Sequence, residues 1–175
     1  IHQVPFRIIA KNESPSKNSG ALIIQARTLE IFEQMGITGK ALEEGIIANK
    51  LNILYNGRKI TSAHIKDIGG NLSQFPFLFM HEQSKTEKLL LKFIGDHGHF
   101  VERGIRFKSF VQDREGVTSV LILTDETEQS IKTKFIIAAD GANSTIRNLL
   151  SIPFNGRTYP KPIFILDCKA KTDLP

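Results

Sequence analysis

The chain has 175 residues, with 23 Lys or Arg against 18 Asp or Glu, for a formal net charge of +5. Apolar residues make up 41% of it, enough for a packed core, which excludes a disordered or collagen-like chain. Cys168 is the single cysteine, so a disulfide scaffold is excluded, and no apolar run approaches the ~20 residues of a membrane-spanning helix.

The opening Val4-Pro5-Phe6-Arg7-Ile8-Ile9-Ala10 is rich in β-branched residues and is expected to form a buried strand, followed by a loop from Lys11 to Gly20. Ile24, Leu29, Phe32 and Met35 recur near helical spacing, with Gly36 suited to the C′ position. A second short helix is predicted over Gly39 to Glu44. Leu51 to Ile65 alternates about Asn56-Gly57, the strongest short hairpin signal. Ser84-Lys85-Thr86-Glu87 has the form of a capping box, opening a helix with Leu89, Leu90, Leu91, Phe93 and Ile94 and closed by Gly95 and Gly98.

The second half reads as strand-rich. Ile105, Phe107, Ser109 and Val111 would share one strand face, and returns over Val117 to Thr124 and Gln129 to Lys132 complete a β-meander. Lys134 to Asp140 is a continuous apolar run, the pattern of a strand buried on both faces of a parallel sheet. A short helix with Ile146, Leu149 and Leu150 follows, and Ile163 to Ala170 is expected to be one further strand. Interleaved helices and strands give an α/β class with an antiparallel inset.

Three segments carry candidate chemistry. In Asp140-Gly141-Ala142-Asn143-Ser144-Thr145-Ile146-Arg147, an apolar strand delivers an acid and a glycine to its carboxyl end, and a helix starts at once. That edge is where open α/β sheets bind ligands, and a helix N-terminus favours anions. Asp140 and Ser144 would equally cap a turn and a helix, and the residues alone leave both readings open. Gln83 lies just before the expected helix start, where its amide can donate to a ligand oxygen or simply meet solvent. Arg27 falls in a first helical turn, against the macrodipole, where an anionic ligand or Glu30 at i,i+3 would offset the cost.

Other chemistries find no support. There is no G-x-S-x-G elbow, and His97-Gly98-His99 lacks a carboxylate or cysteine at metal-ligand spacing, so no metal is expected. Gly36-Ile37-Thr38-Gly39-Lys40 is too short for a phosphate loop, and Ala41 stands where Ser or Thr should be. Lysines and arginines are scattered without an aromatic-studded basic stripe, so nucleic acid is not an expected partner.

In this order, the segments resemble the para-hydroxybenzoate hydroxylase-like, FAD-dependent aromatic-ring monooxygenases. Pro5-Phe6-Arg7-Ile8-Ile9 looks like the family's second sheet strand, and the run from Gln25 to Ile37 is similar to its next helix. Phe77 to Glu87 resembles the segment whose glutamine contacts FAD, and Asp140 to Arg147 resembles the Asp-Gly motif associated with FAD and NAD(P)H. Ile152-Pro153-Phe154-Asn155-Gly156 looks like the segment after it.

The resemblance implies a Rossmann-like FAD/NAD(P)-binding domain with an inset β-meander. Residues 1–50 and 77–160 would belong to the FAD-binding domain, 51–76 to a hairpin of the substrate-side sheet, and 161–175 to the start of the substrate domain. It suggests Arg27 and Gln83 near the ribityl-pyrophosphate portion of FAD. Asp140 and Gly141 would lie at the cofactor crossing, with Ser144 and Arg147 supporting that turn. NAD(P)H would serve as reductant, and one atom of molecular oxygen would pass to a small aromatic or phenolic substrate. No side chain of this chain is then required as a catalytic nucleophile, because the hard chemistry is the cofactor's.

Several family features differ. The family opens with a strand and G-x-G-x-x-G, whereas this chain begins at Ile1, so the resemblance implies an internal piece of a longer protein. Ala10 stands where the family has an acid for the adenosine ribose, and Gly20 where many relatives carry arginine. A Gly-Asp motif would fall beyond Pro175. The expected setting is cytoplasmic, and the oligomeric state is left open. A non-catalytic flavoprotein-like interaction domain and a non-hydroxylating FAD oxidoreductase are the alternatives.

Overall fold

The computed structural model describes residues 4–15, 21–66, 69–158 and 160. In chain order these form β1 (Ile8–Ala10), β2 (Ile23–Ile24), α1 (Ala26–Met35), α2 (Thr38–Glu44) and β3 (Ile46–Ala48). Next come β4 (Lys50–Tyr55), β5 (Arg58–His64), a 3-10 turn (Gly70–Leu72), β6 (Leu78–Met80) and α3 (Gln83–Asp96). The remainder is β7 (Val101–Arg103), β8 (Arg106–Gln112), β9 (Val117–Ile122), β10 (Glu128–Thr133) and α4 (Thr145–Leu149). The expected strand over Ile163 to Ala170, with Cys168, lies outside the described residues, as does Gly20. The mixed α/β class is as the sequence predicts.

The described residues divide into two units, one within Pro15–Phe100 together with Val4, the other Pro5–Ser14 together with residues 101–158 and 160. In the first unit β6 is the middle strand of an antiparallel sheet ordered β2-β6-β3. Phe79 at its centre pairs with Ile24 on one side and Ile47 on the other, and its ring is fully buried. Leu29 and Phe32 of α1, Ala41 of α2 and Leu89 of α3 pack with it into one core cluster. Gly45 makes this packing possible: a Cβ there would lie 2.2 Å from the Phe79 ring. Ile24 therefore belongs to a strand rather than to the helical series. Gln25, extended at ψ 157°, separates the β2 ladder from α1. Gly36 ends α1 in the left-handed region at φ 73°, as predicted. The hairpin β4–β5 turns at Asn56 and Gly57, both with positive φ, the signature of a two-residue primed turn.

In the second unit β1 and β7 pair in parallel, and β8, β9 and β10 form the expected meander. Arg7 fastens the two ladders: its guanidinium makes a two-pronged contact with Glu102 and reaches Gln129 at 2.8 Å. The opening strand is shorter than predicted and only half-buried, and Val4 and Phe6 are exposed. The strict alternation predicted from Ile105 to Val111 is broken by a bulge between Phe107 and Ser109. Beyond it Phe110, opposite buried Ser119, takes the inner face, while Val111 is 72% exposed. One extra residue on a strand moves every later side chain to the other face.

Residues 135–139 depart most from expectation. They carry no regular secondary structure and join no ladder among the described residues, and Phe135 and Ile137 are 83% and 92% exposed. A strand buried on both faces needs a neighbour on each edge. Among the described residues the backbone here has none.

Candidate functional site

Four of the six predicted site residues fall in one turn and helix of the second unit. Gly141 adopts φ 78°, and a Cβ placed on it would meet nothing within 4 Å, so the backbone is open to close approach. Ser144 caps α4, its hydroxyl oxygen accepting from the Arg147 N–H at 3.0 Å, and only 6% of the residue is exposed. Its backbone N–H closes the turn on the Gly141 carbonyl at 3.1 Å. The Ser144 hydroxyl, foremost, and the Ile146 N–H hold the exposed Asp140 carboxyl below the usual carboxylate range. Arg147 donates to the Ala142 carbonyl at 2.8 Å and lies over the Phe154 ring, 4.6 Å from its centroid. Its Nε is buried and finds no hydrogen-bond partner among the described residues.

The capping reading of Asp140 and Ser144 is thus realised. It is compatible with ligand binding, because it leaves an ionised acceptor and an unobstructed glycine on a hydrogen-bonded turn.

Arg27 and Gln83 belong to the first unit. Arg27 lies in the first turn of α1, 72% exposed, and pairs with Glu30 at 2.9 Å. Glu30 also accepts from the Ser73 hydroxyl at 2.7 Å, and the two contacts, Arg27 first, lower its carboxyl pKa. The i,i+3 pairing therefore occurs, with most of the guanidinium still facing solvent. Gln83 is exposed as the first residue of α3 rather than the residue before it. The predicted Ser84 cap is displaced because the Glu82 carbonyl already accepts the Lys85 and Thr86 N–H groups, each at 3.0 Å, so the helix starts earlier. Gln83 thus stands at the positive end of a 14-residue helix dipole.

His81 went unmarked in the sequence. It is 2% exposed, its ring stacked on Phe79, and burial, foremost, lowers its pKa. The signal was present: His81 is two residues from Phe79, and period-two alternation places both on the buried face.

Among the described residues no cluster of His, Cys, Asp or Glu could hold a metal ion, and no helix is long and apolar enough to cross a membrane. The first unit has an open apolar groove of about 480 Å³ lined by Leu22, Ile23, Leu51, Ile65, Leu78 and Met80, with Lys50 the one charged side chain on it among the described residues.

A profile of the family described as FAD binding domain matches residues 2–175. The chain is 27% identical over 161 residues to pentachlorophenol 4-monooxygenase of Sphingobium chlorophenolicum, covering 91% of this chain and 30% of that protein. It is 32% identical over 155 residues to an uncharacterized aromatic compound monooxygenase of Bacillus subtilis (strain 168), covering 85% of this chain and 29% of that one. The chain thus spans about 30% of the length of these relatives. The flavin-dependent monooxygenase PieE, solved with FAD and substrate, superposes with a TM-score of 0.79 at 20% identity, over 88% of this chain and 29% of that one. The OxyS anhydrotetracycline hydroxylase from Streptomyces rimosus superposes with a TM-score of 0.71 at 25% identity, over 87% and 30% of the two chains. With nearly every residue under that one profile, the chain belongs to the FAD-binding-domain family whose relatives here are aromatic-compound monooxygenases.

Proposed function

We propose that the protein carrying this chain is an FAD-dependent monooxygenase that uses NAD(P)H and molecular oxygen to hydroxylate a small aromatic or phenolic substrate. One observation carries the reading. Relatives that cover about nine-tenths of this chain bear the names of monooxygenases of aromatic compounds. The donor set supports it. Asp140 offers an ionised acceptor suited to ribityl hydroxyls, Gly141 an unobstructed backbone, and Arg27 and Gln83 a cation and an amide suited to pyrophosphate and ribityl oxygens. Ser144 and Arg147 keep the Asp140 turn in shape. Bound flavin would supply the oxygen activation and redox chemistry. The side chains of this chain would bind and orient it, with no residue here acting as a catalytic nucleophile. The open apolar groove of the first unit offers a lining suited to an aromatic ring, and Lys50 would favour a ring bearing negative charge. A cytoplasmic setting, where NAD(P)H is available, accompanies this reading.

The test uses the protein encoded by the complete reading frame. It should purify yellow, oxidise NAD(P)H faster with one member of a phenol panel, and place one atom of labelled oxygen in that product. NAD(P)H oxidation without any hydroxylated product would support a non-hydroxylating oxidoreductase instead. A second reading, a non-catalytic interaction domain, rests on Ala10 at the position where the family has an acid for the ribose; here the Ala10 carbonyl accepts from the Ile105 N–H at 3.2 Å. A full-length protein that binds no flavin would favour it.

A further inference from the structure

Helix α3 begins without a side-chain cap, since Glu82 at the N-cap position makes no capping hydrogen bond. Its first turn is held from the core side by His81. The imidazole stacks on Phe79 with centroids 5.7 Å apart and 15° between the planes, and the backbone N–H of His81 donates to the Leu22 carbonyl at 2.7 Å. Nδ1 lies 2.7 Å from the Thr86 hydroxyl oxygen, and that hydroxyl lies 3.3 Å from the Glu82 carbonyl. With the Thr86 proton directed at the Glu82 carbonyl, Nδ1 is the protonated nitrogen and donates to the hydroxyl oxygen. Nε2 is then the bare nitrogen. It is buried without a hydrogen-bond partner among the described residues, 3.9 Å from a Glu44 carboxylate oxygen.

A buried nitrogen without a partner is costly, and an apolar residue in this place would pack against Phe79 without that cost. What the imidazole adds is a tie from the core, through Thr86, to Glu82. Gln83 is the residue next in chain to Glu82 and lies within the turn that this tie closes.

We propose that His81 is a positioning residue for cofactor binding, acting through Thr86 to fix the first turn of α3 and so the placement of Gln83. The proposal rests on the reading of Gln83 as an FAD-binding residue given above. Its logic is that of a supporting hydrogen bond behind a binding group, which narrows the positions that group samples before the ligand arrives.

The test is a double-mutant cycle in the protein encoded by the complete reading frame. FAD dissociation constants are measured by flavin fluorescence titration for the wild type, Thr86→Val, Gln83→Ala and the double variant, with the melting temperature of the apoprotein alongside. Thr86→Val is expected to weaken FAD binding about 2- to 10-fold, the loss of one hydrogen bond. Thr86→Ser, which keeps the hydroxyl, should stay within about twofold of the wild type. On the Gln83→Ala background Thr86→Val should add nothing, because no side chain remains to be placed. Equal weakening with and without Gln83 overturns the proposal, and so does unchanged affinity in Thr86→Val when Gln83→Ala weakens binding. If Gln83→Ala alone leaves FAD affinity unchanged, the reading of Gln83 fails, and the proposal falls with it. Should Thr86→Val not fold, His81→Asn and His81→Leu replace it. The first keeps a donor near Nδ1 and should bind FAD like the wild type, and the second should show the weakening. Equal affinity in those two variants overturns the proposal.

Discussion

His81 carries a charge-state consequence for stability as well as a place beside α3. Burial, opposed in part by the Glu44 carboxylate, lowers its pKa in the folded chain, and Lys85 adds to that lowering. The unfolded chain, with an ordinary histidine pKa near 6.5, therefore takes up the proton first as pH falls. Stability should decline from about pH 6.5 downwards and level off once the folded pKa has been passed. Urea midpoints at pH 7.5 and pH 5.5 should differ by more in the wild type than in His81→Asn, and equal differences would remove His81 as the source. Gly45 gives a second single-residue test. Its missing Cβ is where the Phe79 ring lies, so Gly45→Ala must displace the ring that centres the first core. A destabilisation of about 1–3 kcal/mol is expected in chemical denaturation.

At the level of elements, what was legible in the sequence is what is decided locally. Asn56-Gly57 supplies both positive φ values of its turn, and Gly36 ends α1 where it was expected. The meander was legible because its alternation is short and bounded by turn residues at Asp113 and Asp125, whose carboxylates accept N–H groups of the turns that follow them. The bulge before Ser109 was not, since an extra residue is defined only against the opposite strand. The start of α3 was misplaced by two matching letters of a capping box, because backbone carbonyls upstream had already nucleated the turn. Helix α4 was found together with its cap. That cap is testable: α4 has only five residues and little packing, so Ser144→Ala should cost about 1 kcal/mol. The same variant releases the main restraint on Asp140. FAD affinity of the full-length protein should fall with it, measured by titration against the wild type.

For the whole molecule, the candidate site residues were named from the sequence, yet they divide between two units, with Arg27 and Gln83 in one and Asp140, Gly141, Ser144 and Arg147 in the other. A single chain pattern has no means of giving their separation. The apolar run before Asp140 shows why the sequence predicts a buried strand that is not formed among the described residues. Apolar content is written in the residues, but burial needs a partner ladder, and none lies beside 135–139 among the described residues. The turn that presents Asp140 is therefore attached to a segment with no ladder partner among the described residues. The isolated chain is expected to bind FAD weakly or not at all, with no saturation at micromolar flavin in a fluorescence titration. A stoichiometric yellow complex would overturn this.

The parallel pairing of β1 with β7 also has a consequence in time. Arg7 and Glu102, whose contact accompanies that pairing, are 95 positions apart, and the whole of Pro15–Phe100 lies between the two strands in the chain. The second unit cannot close until the inserted segment has been synthesised, whereas β2, β6, β3 and helices α1, α2 and α3 can find one another within that insert. Contacts of low sequence separation form soonest, and a long loop adds to the entropy that later pairing must overcome. The inserted unit should therefore gain hydrogen-exchange protection first in pulse-labelled refolding, with amides of Ile8–Ala10 and Val101–Arg103 protected in a later phase. Simultaneous protection of both sets would show instead that the discontinuous unit and its insert assemble as one cooperative event.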